Sequence, residues 1–187
     1  VKRLILGLES GSDRFLQYLK GGSITVSDNQ RAVRLCRKYS ITSSSGFITG
    51  TPGETLEELQ KTYDFIENNP LDNTQVYILT PYPGTKLWEE AKSMKMVYPG
   101  MDFGKLFVQL PSVTFFDLFK KNKPGLLKGR IFLNSEYRDN AEYSALIFKM
   151  LKLAYKRNAI FYAKMLFADP CLVKRIVFYI VKRSLCP

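Results

Sequence analysis

The 187-residue sequence contains no histidine. This excludes serine–histidine triads, histidine general bases and histidine metal ligands from the polypeptide. Cysteine is scarce: Cys36, Cys171 and Cys186 lie far apart, with no CxxC or comparable metal-ligand spacing. An odd and sparse count argues against a secreted disulfide scaffold and for a reducing compartment such as the cytoplasm. No uninterrupted apolar run approaches the ~18–20 residues of a membrane span. The opening Val1-Lys2-Arg3-Leu4-Ile5-Leu6-Gly7-Leu8 reads as a strand, not as a signal peptide. A chain that opens inside a core strand is expected to be a piece of something larger.

What is present is an ordinary folding composition, with 45% hydrophobic and 24% charged residues, and a formal charge of +11. The charge is unevenly placed. Residues 1–111 hold 13 basic and 12 acidic residues, whereas residues 112–187 hold 15 and 5. A boundary is therefore expected near Pro111, between a balanced globular segment and a basic, aromatic-rich tail.

The first segment alternates strand and helix. Residues 3–8 form an apolar strand, and Ser12 or Asp13 can cap a following helix carrying Phe15, Leu16 and Leu19, which Gly21-Gly22 stops. Ser27 and Gln30 fit a capping box for a second helix, with Ala32, Val33 and Leu35-Cys36 as its buried stripe. A strand over 43–49 ends in Gly50-Thr51-Pro52-Gly53-Glu54. Thr55 and Glu58 box the start of a helix running to about Asn68, with Leu56, Leu59, Tyr63 and Phe65-Ile66 at helical spacing. A third strand over 75–79 ends in Thr80-Pro81-Tyr82-Pro83-Gly84, and Thr85 caps a helix with Leu87, Trp88 and Ala91. Such alternation implies a parallel sheet flanked by helices, in which ligands sit beyond the carboxyl ends of the strands.

The three strand ends carry the candidate chemistry. Glu9 suits an ammonium or ribose hydroxyls, because a carboxylate accepts hydrogen bonds in two directions. Ser10 and Ser12 add hydroxyls at a helix start, where anions are welcome. The same residues also read as a plain turn with a solvated carboxylate. Gly46-Phe47-Ile48-Thr49-Gly50 alternates small and large residues, so a flat ligand can approach the backbone, or neighbouring elements can pack closely. Pro81, Pro83 and Gly84 either shape a mouth or simply end a strand.

In order, LGLESGSDRFLQYLKGG, SGFITGTPGETLEEL and YILTPYPGTKLWEEA resemble the second half of a radical S-adenosylmethionine (radical SAM) enzyme core, across about residues 1–95. The likeness is to the group that often carries a cobalamin-binding domain. It implies an α/β fold: strands four to six of a six-stranded partial (β/α) barrel, followed by a helical C-terminal region. It also implies S-adenosylmethionine binding by Glu9, Ser10 and Ser12 at the fourth strand end and by Gly46, Phe47, Ile48 and Gly50 along the fifth. Tyr77 on the sixth completes the set. Glu54 falls in a Pro-Gly-Glu turn and reads as turn and helix-start chemistry. The family's [4Fe-4S] cluster is held by a CxxxCxxC loop that these residues lack. The chain is thus expected to be the carboxyl half of an enzyme, inactive alone, whose partner is the missing N-terminal half. The whole enzyme would generate a 5′-deoxyadenosyl radical or support cobalamin-dependent methyl transfer.

Residues 112–187 match no motif. A long helix is expected over 135–156, with Ala145, Leu146, Phe148, Met150-Leu151 and Ala154-Tyr155 apolar and Lys149, Lys152 and Lys156 on one face. The run 171–185 is apolar except for Lys174-Arg175 and Lys182-Arg183. Three readings stand: a helix packed on the barrel with a solvated basic face, a basic amphipathic helix on an anionic inner membrane surface, or, least favoured, a nucleic-acid surface with interleaved aromatics such as Phe161, Tyr162, Phe167, Phe178 and Tyr179. The alternative to an enzyme is a non-catalytic remnant or a peripheral membrane protein.

Overall fold

The computed structural model describes residues 2–103, 133–134 and 140–168. The expected boundary near Pro111, the run 171–185, Cys171 and Cys186 lie outside these residues. The order is β1 (Arg3–Glu9), α1 (Asp13–Lys20), α2 (Val26–Lys38), β2 (Thr42–Thr49), α3 (Leu56–Asn68), β3 (Asn73–Ile78), α4 (Lys86–Ser93) and a long α5 (Ala141–Ala168). The three strands form one parallel sheet in the order β1-β2-β3. The α/β alternation read from the sequence is therefore the observed architecture.

Local capping explains most boundaries. Thr55 and Glu58 form a reciprocal capping box at the start of α3, and Thr85 caps α4 through the Trp88 N–H. Gly21 ends α1 in the left-handed region at φ 61°, where the absence of a Cβ removes the steric cost. Helix α2 begins two residues earlier than Ser27 suggested. Its box is Thr25 with Asp28, because an ionised carboxylate accepts more strongly from the cap N–H than the Gln30 amide would. Its buried stripe is Asn29, Val33 and Cys36, while Leu35 turns outward at 44% exposure.

The serine-rich β2 sits centrally because its buried hydroxyls find partners. Ser43 pairs with Asp72, Ser44 receives Arg3, and Ser45 donates to the Asn73 carbonyl. Phe47 points into the core against Phe65, with ring centroids 5.7 Å apart.

Helix α5 begins and ends later than 135–156 would have placed it. It shares one core with the sheet: Tyr143, Leu146, Ile147, Met150, Leu151 and Ala154 bury with Val76, Ile78, Leu59 and Phe65. Ala145 is exposed, and so are Lys149, Lys152 and Lys156, so the basic face is solvated. Asn158 holds the outer edge of β3. Its amide accepts from the Thr74 N–H and donates to the Thr74 carbonyl, both at 2.8 Å. Arg157 donates to the carbonyls of Glu67, Asn69 and Leu71 at the end of α3, which has no basic residue in its own last turn. Among the described residues, no helix is long and apolar enough to cross a membrane.

Candidate functional site

The face of the sheet opposite the Phe47 core carries a cavity of about 480 Å³. Strand register builds it in rows. Ile5, Ser44 and Asn73 align in the first row, Gly7, Gly46 and Gln75 in the second, and Ile48 with Tyr77 in the third. Period-two alternation puts these side chains on one face and Leu8, Phe47 and Val76 on the other, in the core. Two adjacent glycines leave the middle row hollow.

Glu9 reaches that hollow from the end of β1. A β-bulge interrupts the register between Gly7 and Glu9, and Glu9 itself lies at φ 63°. A left-handed non-glycine residue costs on the order of 1 kcal/mol and marks a constrained position. The result is that the Glu9 carboxylate folds back over Gly7, where an added Cβ would collide with it. Burial raises the Glu9 pKa above the usual carboxylate value, and the nearby Lys20 ammonium partly offsets this. Lys20 also donates to the Gly7 carbonyl. Opposite, the Tyr77 ring lies over Gly46, 3.5 Å from where a Cβ would stand, and its hydroxyl donates to Gln75 Oε1. Ile48 lies beside Tyr77, and Leu79, Thr80 and Tyr82 line the mouth.

Glu9, Gly46, Ile48 and Tyr77 are therefore brought together. The other four sequence-derived candidates are not in this cavity. Phe47 is fully buried on the opposite face because its strand neighbours Gly46 and Ile48 face the cavity. Ser10 contacts Thr62 Oγ1 and accepts from the Ser12 N–H, and Ser12 donates to Glu58 Oε1. Both hydroxyls are thus engaged with α3 and the turn, and Ser12 makes no side-chain cap to α1. Gly11 abuts α3 too closely for any Cβ, since one placed there would stand 2.7 Å from Thr62 Cα. Gly50 donates its N–H to the buried Glu54 at 2.8 Å. That turn is further tied by Asn134 and Tyr143, which donate to the Glu54 carbonyl, in keeping with a turn role for Glu54.

Glu58 is the charged keystone between α1 and α3. Burial alone would raise its pKa, but Arg14, Thr55 and Ser12 all donate to it and hold it at about 2. Residues that the sequence reading passed over are Arg3, Gly7, Lys20, Ser44, Asn73 and Gln75. The signal available for some of them was polar residues at alternate positions of the apolar third strand, Asn73 and Gln75.

Residues 1–66 match the family model of the Radical SAM superfamily. Over 85 residues the chain is 41% identical to an uncharacterized methyltransferase of Pyrococcus horikoshii, covering 46% of the chain and 18% of that protein. It is 38% identical over 87 residues to a tRNA-2-methylthio-N(6)-dimethylallyladenosine synthase of Acidovorax, covering 46% of the chain and 19% of the relative. To the synthase of the same name from Cellvibrio japonicus it is 30% identical over 165 residues, covering 80% of the chain and 36% of the relative. The chain thus spans roughly a fifth to a third of the length of these curated relatives. Among solved structures, Methanocaldococcus infernus Elp3 with its N-terminus deleted aligns with 50% of the chain and 22% of that protein, at 26% identity and a TM-score of 0.42.

Proposed function

The chain belongs to the radical SAM superfamily, and from that premise we propose that it forms S-adenosylmethionine-binding strand ends of a group-transferring enzyme. The observation that carries this is the pairing of the Glu9 carboxylate over Gly7 with the Tyr77 ring over Gly46 across one hollow. The hollow fits the cofactor: it offers a carboxylate for an ammonium or hydroxyls, and a flat aromatic wall beside bare backbone for a planar base. Glu9 accepts from the cationic or hydroxyl part. Gly46, Ile48 and Tyr77 seat the flat part, and the Gly50 backbone shapes the strand end. Ser10 and Ser12 act through α3, by fixing the turn after Glu9. When bound, S-adenosylmethionine with a reduced [4Fe-4S] cluster would supply the one-electron chemistry of such an enzyme.

The cluster itself does not fit these residues. Among those described, no three His, Cys, Asp or Glu side chains converge for a metal, and Cys36 is a free thiol buried in α2. We assign the cluster to the N-terminal half of the same protein, docked on the open edge of β1, with this chain inactive on its own. Any cobalamin-binding domain would belong to that same outside polypeptide. The relatives' names favour methyl or methylthio transfer. The exposed Lys149, Lys152 and Lys156 on α5 favour an anionic substrate such as the tRNA those names specify.

In the full-length protein, Glu9→Ala is expected to weaken equilibrium S-adenosylmethionine binding by ~10-fold or more while iron content is unchanged. Unchanged binding would overturn the site. Because the Glu9 pKa is raised, binding is expected to strengthen as pH rises through that value and the carboxylate ionises.

A further inference from the structure

The far end of the cavity, at the strand starts, has a different chemistry from the Glu9 end. Asn73 is 2% exposed and lines the cavity, yet its Nδ2 has no hydrogen-bond partner among the described residues. Native structures rarely leave a buried donor unused, and such groups mark a ligand, ion or water position. Its row neighbour Ser44, 5% exposed, receives the Arg3 guanidinium through Nε at 3.0 Å and Nη2 at 2.6 Å. Arg3 has no carboxylate partner among the described residues. It is steadied by the Phe161 ring, 5.8 Å from its guanidinium carbon, and keeps donors to spare. Gln75, one row on, has its amide oxygen taken by Tyr77 and is left with donor capacity.

The Asn73 Nδ2 and the Gln75 amide N–H groups are unused donors at this end, and Arg3 beside them carries a full positive charge. Among the described residues, the only carboxylate lining the cavity is Glu9. It lies six residues from Arg3 on β1, up to ~20 Å along an extended strand. Asp72, next to Asn73 in the chain, is engaged with the Ser43 N–H and hydroxyl.

We propose that Arg3, Asn73 and Gln75 form an oxyanion-binding subsite at the strand-start end of the cavity, suited to a carboxylate or a phosphate. An oxyanion there completes the Asn73 donor and gives Arg3 a charge-assisted partner. The subsite adjoins the cofactor hollow through Gln75, which shares the row of Gly7 and Gly46, but it does not depend on the S-adenosylmethionine reading, which rests on Glu9, Gly46 and Tyr77.

The test uses the isotopically labelled 187-residue chain, titrated at constant ionic strength with inorganic phosphate and, separately, with acetate. The Asn73 side-chain amide resonance is followed by nuclear magnetic resonance. A saturable shift is expected, and the anion that saturates at lower concentration identifies which oxyanion the subsite prefers. Asn73→Asp and Arg3→Gln are each expected to lower affinity at least ~10-fold. The Arg3 variant keeps the test alive if the Asn73 variant does not fold. Glu9→Gln is expected to leave the oxyanion titration unchanged, which separates this subsite from the cofactor site. No saturable shift with either anion, or an unchanged titration in both Asn73→Asp and Arg3→Gln, overturns the proposal.

Discussion

The two edges of the sheet are treated differently. Along β3, the free hydrogen-bonding groups of Thr74 both meet the Asn158 amide, and α5 buries Ile147, Met150 and Leu151 over the adjoining core. One side chain there imitates a strand and ends the sheet. Along β1, Lys20 meets the Gly7 carbonyl, but Ile5 stands 82% exposed and Leu4 38% exposed. Proteins rarely leave a strand edge bare without charge or cover. The contrast teaches that, among the described residues, the β3 edge is capped by a side chain while the β1 edge is open to a further strand.

The strongest way to break this comparison is to attack the closed side. Ile147→Ala is expected to destabilise by ~2–5 kcal/mol in urea unfolding, since Ile147 is fully buried. A much smaller loss would show that α5 is only loosely seated. Next comes the link from α1, the helix beside the open edge, to α3. Glu58 is held at about 2 against an ordinary 4.5. Its contribution is therefore complete above pH ~4.5 and is lost as pH falls toward 2, on the order of 3 kcal/mol in all. Glu58→Gln should lower stability at neutral pH and flatten the acid limb of the stability profile. An acid limb as steep as the parent's would place that titration elsewhere.

Asn158→Ala should cost ~2 kcal/mol for two lost hydrogen bonds and speed hydrogen exchange at the Thr74 amide. It would make the closed edge resemble the open one. Smallest is Ile5→Ala, expected to change stability by less than ~0.5 kcal/mol in this chain. A cost equal to that of Ile147→Ala would mean the β1 edge is already covered.

What could be read from the sequence was local. Thr55 with Glu58, Thr85, and Gly21 define helix ends through neighbours within four residues, and all three hold. Thr25 and Ser27 compete as caps only two residues apart, and the carboxylate of Asp28 decides between them. Glu9 stood out as a candidate because it ends a strand beside turn residues, and Tyr77 entered only through the family resemblance. The hollow they share was not, since it depends on Gly7 standing opposite Gly46, a register set by pairing across 39 residues of chain. The diversion of Ser10 and Ser12 toward Thr62 and Glu58 was equally hidden, because a serine beside a glycine looks the same whether its hydroxyl faces a ligand or a helix.

The serine-rich strand β2 carries a consequence for how the chain folds. A central parallel strand is usually a continuous apolar run, and such runs aggregate when exposed before the fold closes. Here Thr42 to Gly46 contributes hydroxyls and a bare backbone instead, with Phe47 as its large buried side chain. Left unpaired, β2 is a segment water tolerates. The sheet can then assemble around its middle strand late in folding, with little pull toward the same strand of another copy.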